Sequence, residues 1–128
     1  MLHERHYTVE QANAAIPWVE QRLAQLREAR TGLGDEEARA ALAEAGPGNG
    51  GGEAGRVVSD AFLSMRSALI ELREMDIVLR DLDRGLVDFP ALRDGREVYL
   101  CWEEGEDRIE FWHEPDAGYG GRQALGDG

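Results

Sequence analysis

The sequence predicts an α+β fold: a long antiparallel helical hairpin packed on a small, mainly antiparallel β-sheet, followed by a glycine-rich C-terminal tail. Three observations carry this prediction. Apolar residues recur at three- and four-residue steps in two long stretches, one opening at Thr8 and one running from about Glu53 to Met75. The glycine-rich run 46–52 separates them and serves as a flexible connection. After Asp76 the period shortens to two, and Arg96–Glu103 and Arg108–His113 flank a glycine-containing turn.

The elements follow in chain order. Thr8-Val9-Glu10-Gln11 is a capping box, in which the threonine hydroxyl and the glutamine amide each satisfy a backbone N–H that the first helical turn leaves open. Ile16, Val19, Leu23, Leu26 and Leu33 then form the seam of the first helix, with a kink expected near Asn13–Pro17 because Pro17 lacks the N–H that would bond to Asn13. Gly32 and Gly34 weaken that helix, and residues 35–45, whose apolar residues are mostly alanine, restart it as a solvated segment. In the second helix Val58, Phe62, Met65, Leu69, Leu72 and Met75 form the expected buried stripe. A two-helix hairpin leaves each stripe half covered, so a third layer from the C-terminal part or from another copy of the chain is expected.

The β-rich part spans about residues 77–122, the hairpin about 8–76, and all 128 residues are expected to form one domain. Ile77-Val78-Leu79 and Leu86-Val87 are short β-type runs around the turn residues Asp81–Gly85, and Asp94-Gly95 is a further turn. If Gly105-Glu106 is a two-residue loop, Trp102 pairs with Ile109, Leu100 with Phe111, Tyr99 with Trp112 and Val98 with His113. Val98, Leu100, Trp102, Ile109 and Phe111 then share the face toward the helices, and Tyr99, Cys101, Glu110 and Trp112 share the other.

Fourteen basic residues against twenty-six acidic ones set the formal charge at −12, which repels nucleic acid and anionic membrane surfaces. No apolar run is long enough for a membrane span, Met1–Tyr7 lacks a secretory core, and the single cysteine forms no internal disulfide; a cytoplasmic location is expected.

The motifs YTVEQANAAIPWV, GLVDFP, GREVYLCW and WHEPDAGYGGR together resemble the DUF2203 family of small bacterial proteins of unknown function. The resemblance covers nearly the whole chain and implies a helical hairpin followed by a short sheet. It carries over no substrate, cofactor or catalytic residue.

The candidate site must therefore come from the residues themselves. Cys101 with His113 as base would make an activated thiol, but the hairpin register puts the two on opposite faces and sets Cys101 across from Glu110; a buried small hydrophobe is the reading adopted. His113, Asp116 and Asp88 supply nitrogen and oxygen ligands for a divalent metal, although a histidine capping the sheet edge explains His113 as well. His3 and His6 belong to a frayed or tethered N-terminal arm. The loop 116–122 offers glycine N–H groups, Tyr119 and Arg122 to a small anion, or else wraps the sheet with Arg122 paired to Asp116 or Asp88. Arg96 begins a strand where it can neutralise surface carboxylates.

Two functions follow. One is a non-enzymatic binding or interaction module, a homodimer through its helices, whose strand-end and loop residues Asp88, Arg96, His113, Asp116, Tyr119 and Arg122 take a small anionic ligand or protein partner. The other is a small metal-dependent, hydrolytic enzyme built on His113, Asp116 and Asp88.

Overall fold

The computed structural model describes residues 1–34 and 53–126. Two helices, α1 (Val9–Leu33) and α2 (Glu53–Glu74), precede five strands. These are β1 (Val78–Asp81), β2 (Leu86–Arg93), β3 (Arg96–Glu103), β4 (Phe111–His113) and β5 (Gln123–Ala124). The strands form one sheet in the order β1-β2-β3-β4-β5, every neighbouring pair antiparallel. The protein is thus α+β. The chain groups into two compact units, Met1–Gln21 with Glu71–Gly128, and Arg22–Ile70. The solvated segment and glycine-rich connection expected over 35–52 lie outside the described residues.

Helix α1 begins at the capping box. The Thr8 N–H donates to Gln11 Oε1 at 3.0 Å and the Gln11 N–H donates to Thr8 Oγ1 at 3.1 Å, so two orphan donors are satisfied reciprocally. The helix runs unbroken through Pro17. Its seam is as expected, with Ile16, Val19, Leu23 and Leu26 buried and Leu33 half-buried, and Ala12 and Ala29 extend it.

Helix α2 behaves differently. Ala61, Ala68 and Leu72 are buried, whereas Phe62 and Leu63 are each 58% exposed and Leu69 44%. The expected stripe is therefore rotated toward the small residues. Close approach is the reason: within the Arg22–Ile70 unit, a Cβ on Gly32 would meet Ala61 Cβ at 2.9 Å, and Gln25 Nε2 donates to the Ser64 carbonyl at 2.9 Å. Alanine lets backbones approach to such distances, where a phenylalanine would hold them apart.

Asp94 and Gly95, with φ of 53° and 80°, make the turn between β2 and β3; both positive angles are what a two-residue hairpin turn matched to strand twist requires. Arg93 pairs with Arg96, and the ladder continues through Phe89–Leu100 and Asp88–Cys101 to Leu86–Glu103. Pro90 sits inside β2 without breaking it. Its carbonyl accepts from the Tyr7 N–H at 2.7 Å, so its backbone groups face away from β3 and its missing donor costs no bond in the β2–β3 ladder.

The connection between β3 and β4 corrects the expected register. In place of a two-residue loop, residues 104–110 form a longer excursion, and β4 pairs Tyr99 with His113, Leu100 with Trp112 and Cys101 with Phe111. A one-residue slip moves every side chain of β4 to the opposite face. The physical reason is tertiary. Glu106 accepts from Trp102 Nε1 and, through its carboxylate, from the Glu103 N–H, while the Ile109 N–H donates to Asn13 Oδ1 and the Leu125 N–H to the Glu110 carbonyl. The Ile109 N–H, which a tight hairpin would have paired with Trp102, is thereby satisfied by a residue far away in sequence.

Among the described residues, no helix is long and apolar enough to cross a membrane.

Candidate functional site

The two faces of the sheet differ chemically. Val87, Phe89, Ala91, Val98, Leu100 and Trp102 lie on one, joined by Trp112 from β4, and all are buried. On the other, Asp88, Tyr99, Cys101 and His113 are also buried. Tyr99 and Trp112, expected to share a face, thus lie on opposite faces, and both are buried.

At the centre of the polar face, Asp88, Cys101 and His113 come from three adjacent strands and are each 1% exposed. Asp88 stands opposite Cys101, and His113, opposite Tyr99, reaches diagonally over β3. His113 Nε2 is 2.9 Å from Asp88 Oδ2, and its Nδ1 is 2.7 Å from the Glu114 carbonyl. A carbonyl oxygen only accepts, so Nδ1 carries a proton; Nε2 faces a carboxylate and carries one as well. Burial disfavours the charged ring, but the Asp88 carboxylate and the Glu114 carbonyl outweigh it and hold His113 above the ordinary imidazole value.

Arg80 completes the arrangement. It lies between Leu79 and Asp81, where the β1–β2 register shifts, and such an irregularity re-aims a side chain; its Nε donates to Asp88 Oδ2 at 2.7 Å. Asp88 Oδ1 is buried and, among the described residues, has no hydrogen-bond partner. Cys101 sits beside this carboxylate, and burial followed by the Asp88 charge pushes its thiol up to about 12. Such a thiol is protonated at neutral pH and is a poor nucleophile. Burial and the neighbouring carboxylate thus count against a thiolate nucleophile, but Cys101 and His113 share a face and a cluster, contrary to the opposite faces expected of them.

The N-terminal arm covers the neighbouring part of this face. Glu97 accepts from the Leu2 and His3 N–H groups and from His6 Nε2, the last at 2.8 Å. His3 places Nδ1 3.1 Å from Asp76 Oδ1 and Nε2 2.7 Å from the Tyr99 hydroxyl, with its ring edge-on to Tyr99. Of the frayed or tethered arm expected for His3 and His6, the tethered form is observed.

The remaining candidates lie elsewhere. Arg96 is paired with Glu114 at 2.6 Å on the surface. Asp116 is exposed in a turn and contributes nothing to the Asp88–Cys101–His113 cluster. Arg122 pairs with Glu106 at 2.6 Å rather than with Asp116 or Asp88, and its guanidinium lies over Phe111 and Tyr119. Tyr119 bonds to Glu103 and is also covered by Arg84, itself paired with Glu103. Gly121 is there for closeness, since a Cβ would come within 2.5 Å of Ala117 Cβ.

The structure thus brings Asp88 and His113 together and adds Cys101, Arg80 and the His3–Tyr99 pair. The first addition was within reach of the sequence: once Asp94-Gly95 is taken as a two-residue turn, counting back from Arg93 and Arg96 puts Asp88 opposite Cys101. Arg80 and His3 carry no comparable local signal.

A family model described as an uncharacterized conserved protein (DUF2203) matches residues 5–125. No curated protein and no solved structure matches the chain.

Proposed function

Since the chain belongs to the DUF2203 family, whose description names no activity, function must be argued from geometry, and we propose a non-enzymatic interaction module that self-associates through α2. One observation carries this reading: Phe62 and Leu69, large apolar side chains two turns apart on one side of the helix, are exposed. Scattered exposed apolar residues are ordinary, but a contiguous set marks an interaction surface. At about 100° per residue, Val58, Phe62, Met65 and Leu69 fall on one narrow stripe, with the three- and four-residue alternation that meshes with a second helix of the same kind. A second copy of the chain supplies such a helix.

A small anionic ligand at the C-terminal loop is less well supported, because Arg84, Arg96 and Arg122 each already hold a glutamate. The metal-dependent enzyme on His113, Asp116 and Asp88 gains the Asp88–His113 contact but loses Asp116, and the burial of the pair keeps substrate away.

Sedimentation equilibrium tests the proposal. The expected mass is twice the 14.2 kDa of the chain, and the variant carrying both Phe62→Glu and Leu69→Glu is expected to be a folded monomer. Both positions are exposed, so loss of the dimer with unchanged circular dichroism reads out the interface alone. Wild-type protein that stays monomeric across the micromolar range refutes self-association.

A further inference from the structure

The centre of the polar face has the donor set, the orientation and the spare valence of a metal centre, and we propose that Asp88, Cys101 and His113 together bind one transition-metal ion of the zinc type. Their ligand atoms lie within 4.8 Å of one another. A tetrahedral zinc with bonds of about 2.0–2.3 Å needs its ligands roughly 3.3–3.8 Å apart, so small side-chain rotations close the site. Thiolate, imidazole and carboxylate together select a borderline-soft ion such as zinc over magnesium or calcium, which take oxygen ligands.

Two further observations separate this cluster from a chance grouping. The first is Asp88 Oδ1, a carboxylate oxygen in a residue 1% exposed that has no hydrogen-bond partner among the described residues. A buried acceptor left open costs free energy unless something fills it. The second is that the outer contacts of a metal site are already in place. His113 Nδ1 is tied to the Glu114 carbonyl, which turns Nε2 toward the cluster, and Arg80 holds Asp88 Oδ2, which leaves Oδ1 as the free donor. Hydrogen bonds of this kind orient the ligands of metal centres and fix the tautomer of the histidine.

The exchange balances. The ion enters with two positive charges, bonds form to Asp88 Oδ1, Cys101 Sγ and His113 Nε2, and the Sγ and Nε2 protons leave to water. The cluster keeps the same net charge, with one dication in place of two protons. Three protein ligands leave a fourth position for water. This site is independent of self-association through α2 and stands or falls separately from it.

Cobalt(II) is the probe, added to untagged protein first stripped with chelator. Thiolate ligation produces a sulfur-to-cobalt charge-transfer absorption in the near ultraviolet, and tetrahedral geometry produces strong visible bands. The expected result is saturation of both at one equivalent, with loss of both when one equivalent of zinc is added. Cys101→Ser is expected to lose the charge-transfer band, and His113→Ala to weaken cobalt binding at least tenfold. Asp116→Ala and the variant carrying His3→Ala with His6→Ala are expected to match wild type. Circular dichroism of each variant shows whether it folds, and should Cys101→Ser not fold, the wild-type spectrum decides by itself. No charge-transfer band in wild type at excess cobalt overturns the proposal, as does a band that survives in folded Cys101→Ser or binding that disappears with Asp116 or with the two N-terminal histidines.

Discussion

The centres of the two sheet faces are equally buried and are held by different physics. Around Phe89, Leu100 and Trp102 the stabilisation is removal of apolar surface from water, which is non-directional and tolerates small displacements. Around Asp88 and His113 it is a set of directed bonds in which each group depends on its neighbours, since a charge left buried without its partner is costly. The apolar face makes the sheet stable. The polar face makes it particular, because only one register brings Asp88, Cys101 and His113 together.

Mutations can break this contrast in graded steps. The largest effect is expected from Phe89→Ala, where a fully buried ring leaves a cavity: about 3–5 kcal/mol, read from the midpoint of urea unfolding. Asp88→Ala is expected to cost about 3 kcal/mol by stranding the buried His113, whereas replacing both Asp88 and His113 by leucine should recover more than half of that loss. If the double variant is no more stable than Asp88→Ala, an unpaired charge is not what the single change exposes.

The pH dependence distinguishes the faces more finely. His113 is held above its ordinary value in the folded protein, so its contribution is fully present below the unfolded value of about 6.5 and is lost as pH rises through the higher folded value. Urea midpoints of the metal-free protein measured upward from about pH 6 should therefore show a decline that His113→Leu removes and that Phe89→Ala leaves unchanged. Glu97 works in the opposite direction. Although burial raises it, its bonds to His6 and to the Leu2 and His3 N–H groups outweigh burial and depress it, so its stabilisation is present at neutral pH and lost as pH falls through the folded value.

Smaller effects probe the rim. Tyr99→Phe removes the hydroxyl bonded to His3 and is expected to cost about 1 kcal/mol, with faster hydrogen exchange at the Leu2 and His3 amides. Glu114→Gln leaves the carbonyl that holds His113 intact and loosens only the exposed pair with Arg96, so a change within about 0.5 kcal/mol is expected from thermal unfolding. A larger loss would place Glu114's side chain within the buried network.

What could be read in advance was whatever depends on near neighbours. The box at Thr8 and Gln11 is one local hydrogen-bond exchange, the Asp94-Gly95 turn is one pair of backbone angles, and α2 ends at Glu74, one residue short of the expected Met75. The strand Arg96–Glu103 was likewise legible to the residue, since alternation and flanking turn chemistry both act over a few positions.

The rest turned on contacts between distant residues. Periodicity finds apolar positions in α2 but cannot rank Ala68 above Leu69, because the choice depends on how closely a neighbouring backbone approaches. Strand β5 is two residues long and exists because Phe111 and Trp112 offer an edge to Gln123 and Ala124. Residue type and local geometry therefore determined that the described residues form two helices and a sheet with chemically distinct residues on adjacent strands. Only the tertiary structure decided which of those residues meet, because Asn13, Arg122 and Leu125 supply bonding partners across the excursion 104–110 and thereby set the single-residue register that places His113 beside Asp88 and Cys101.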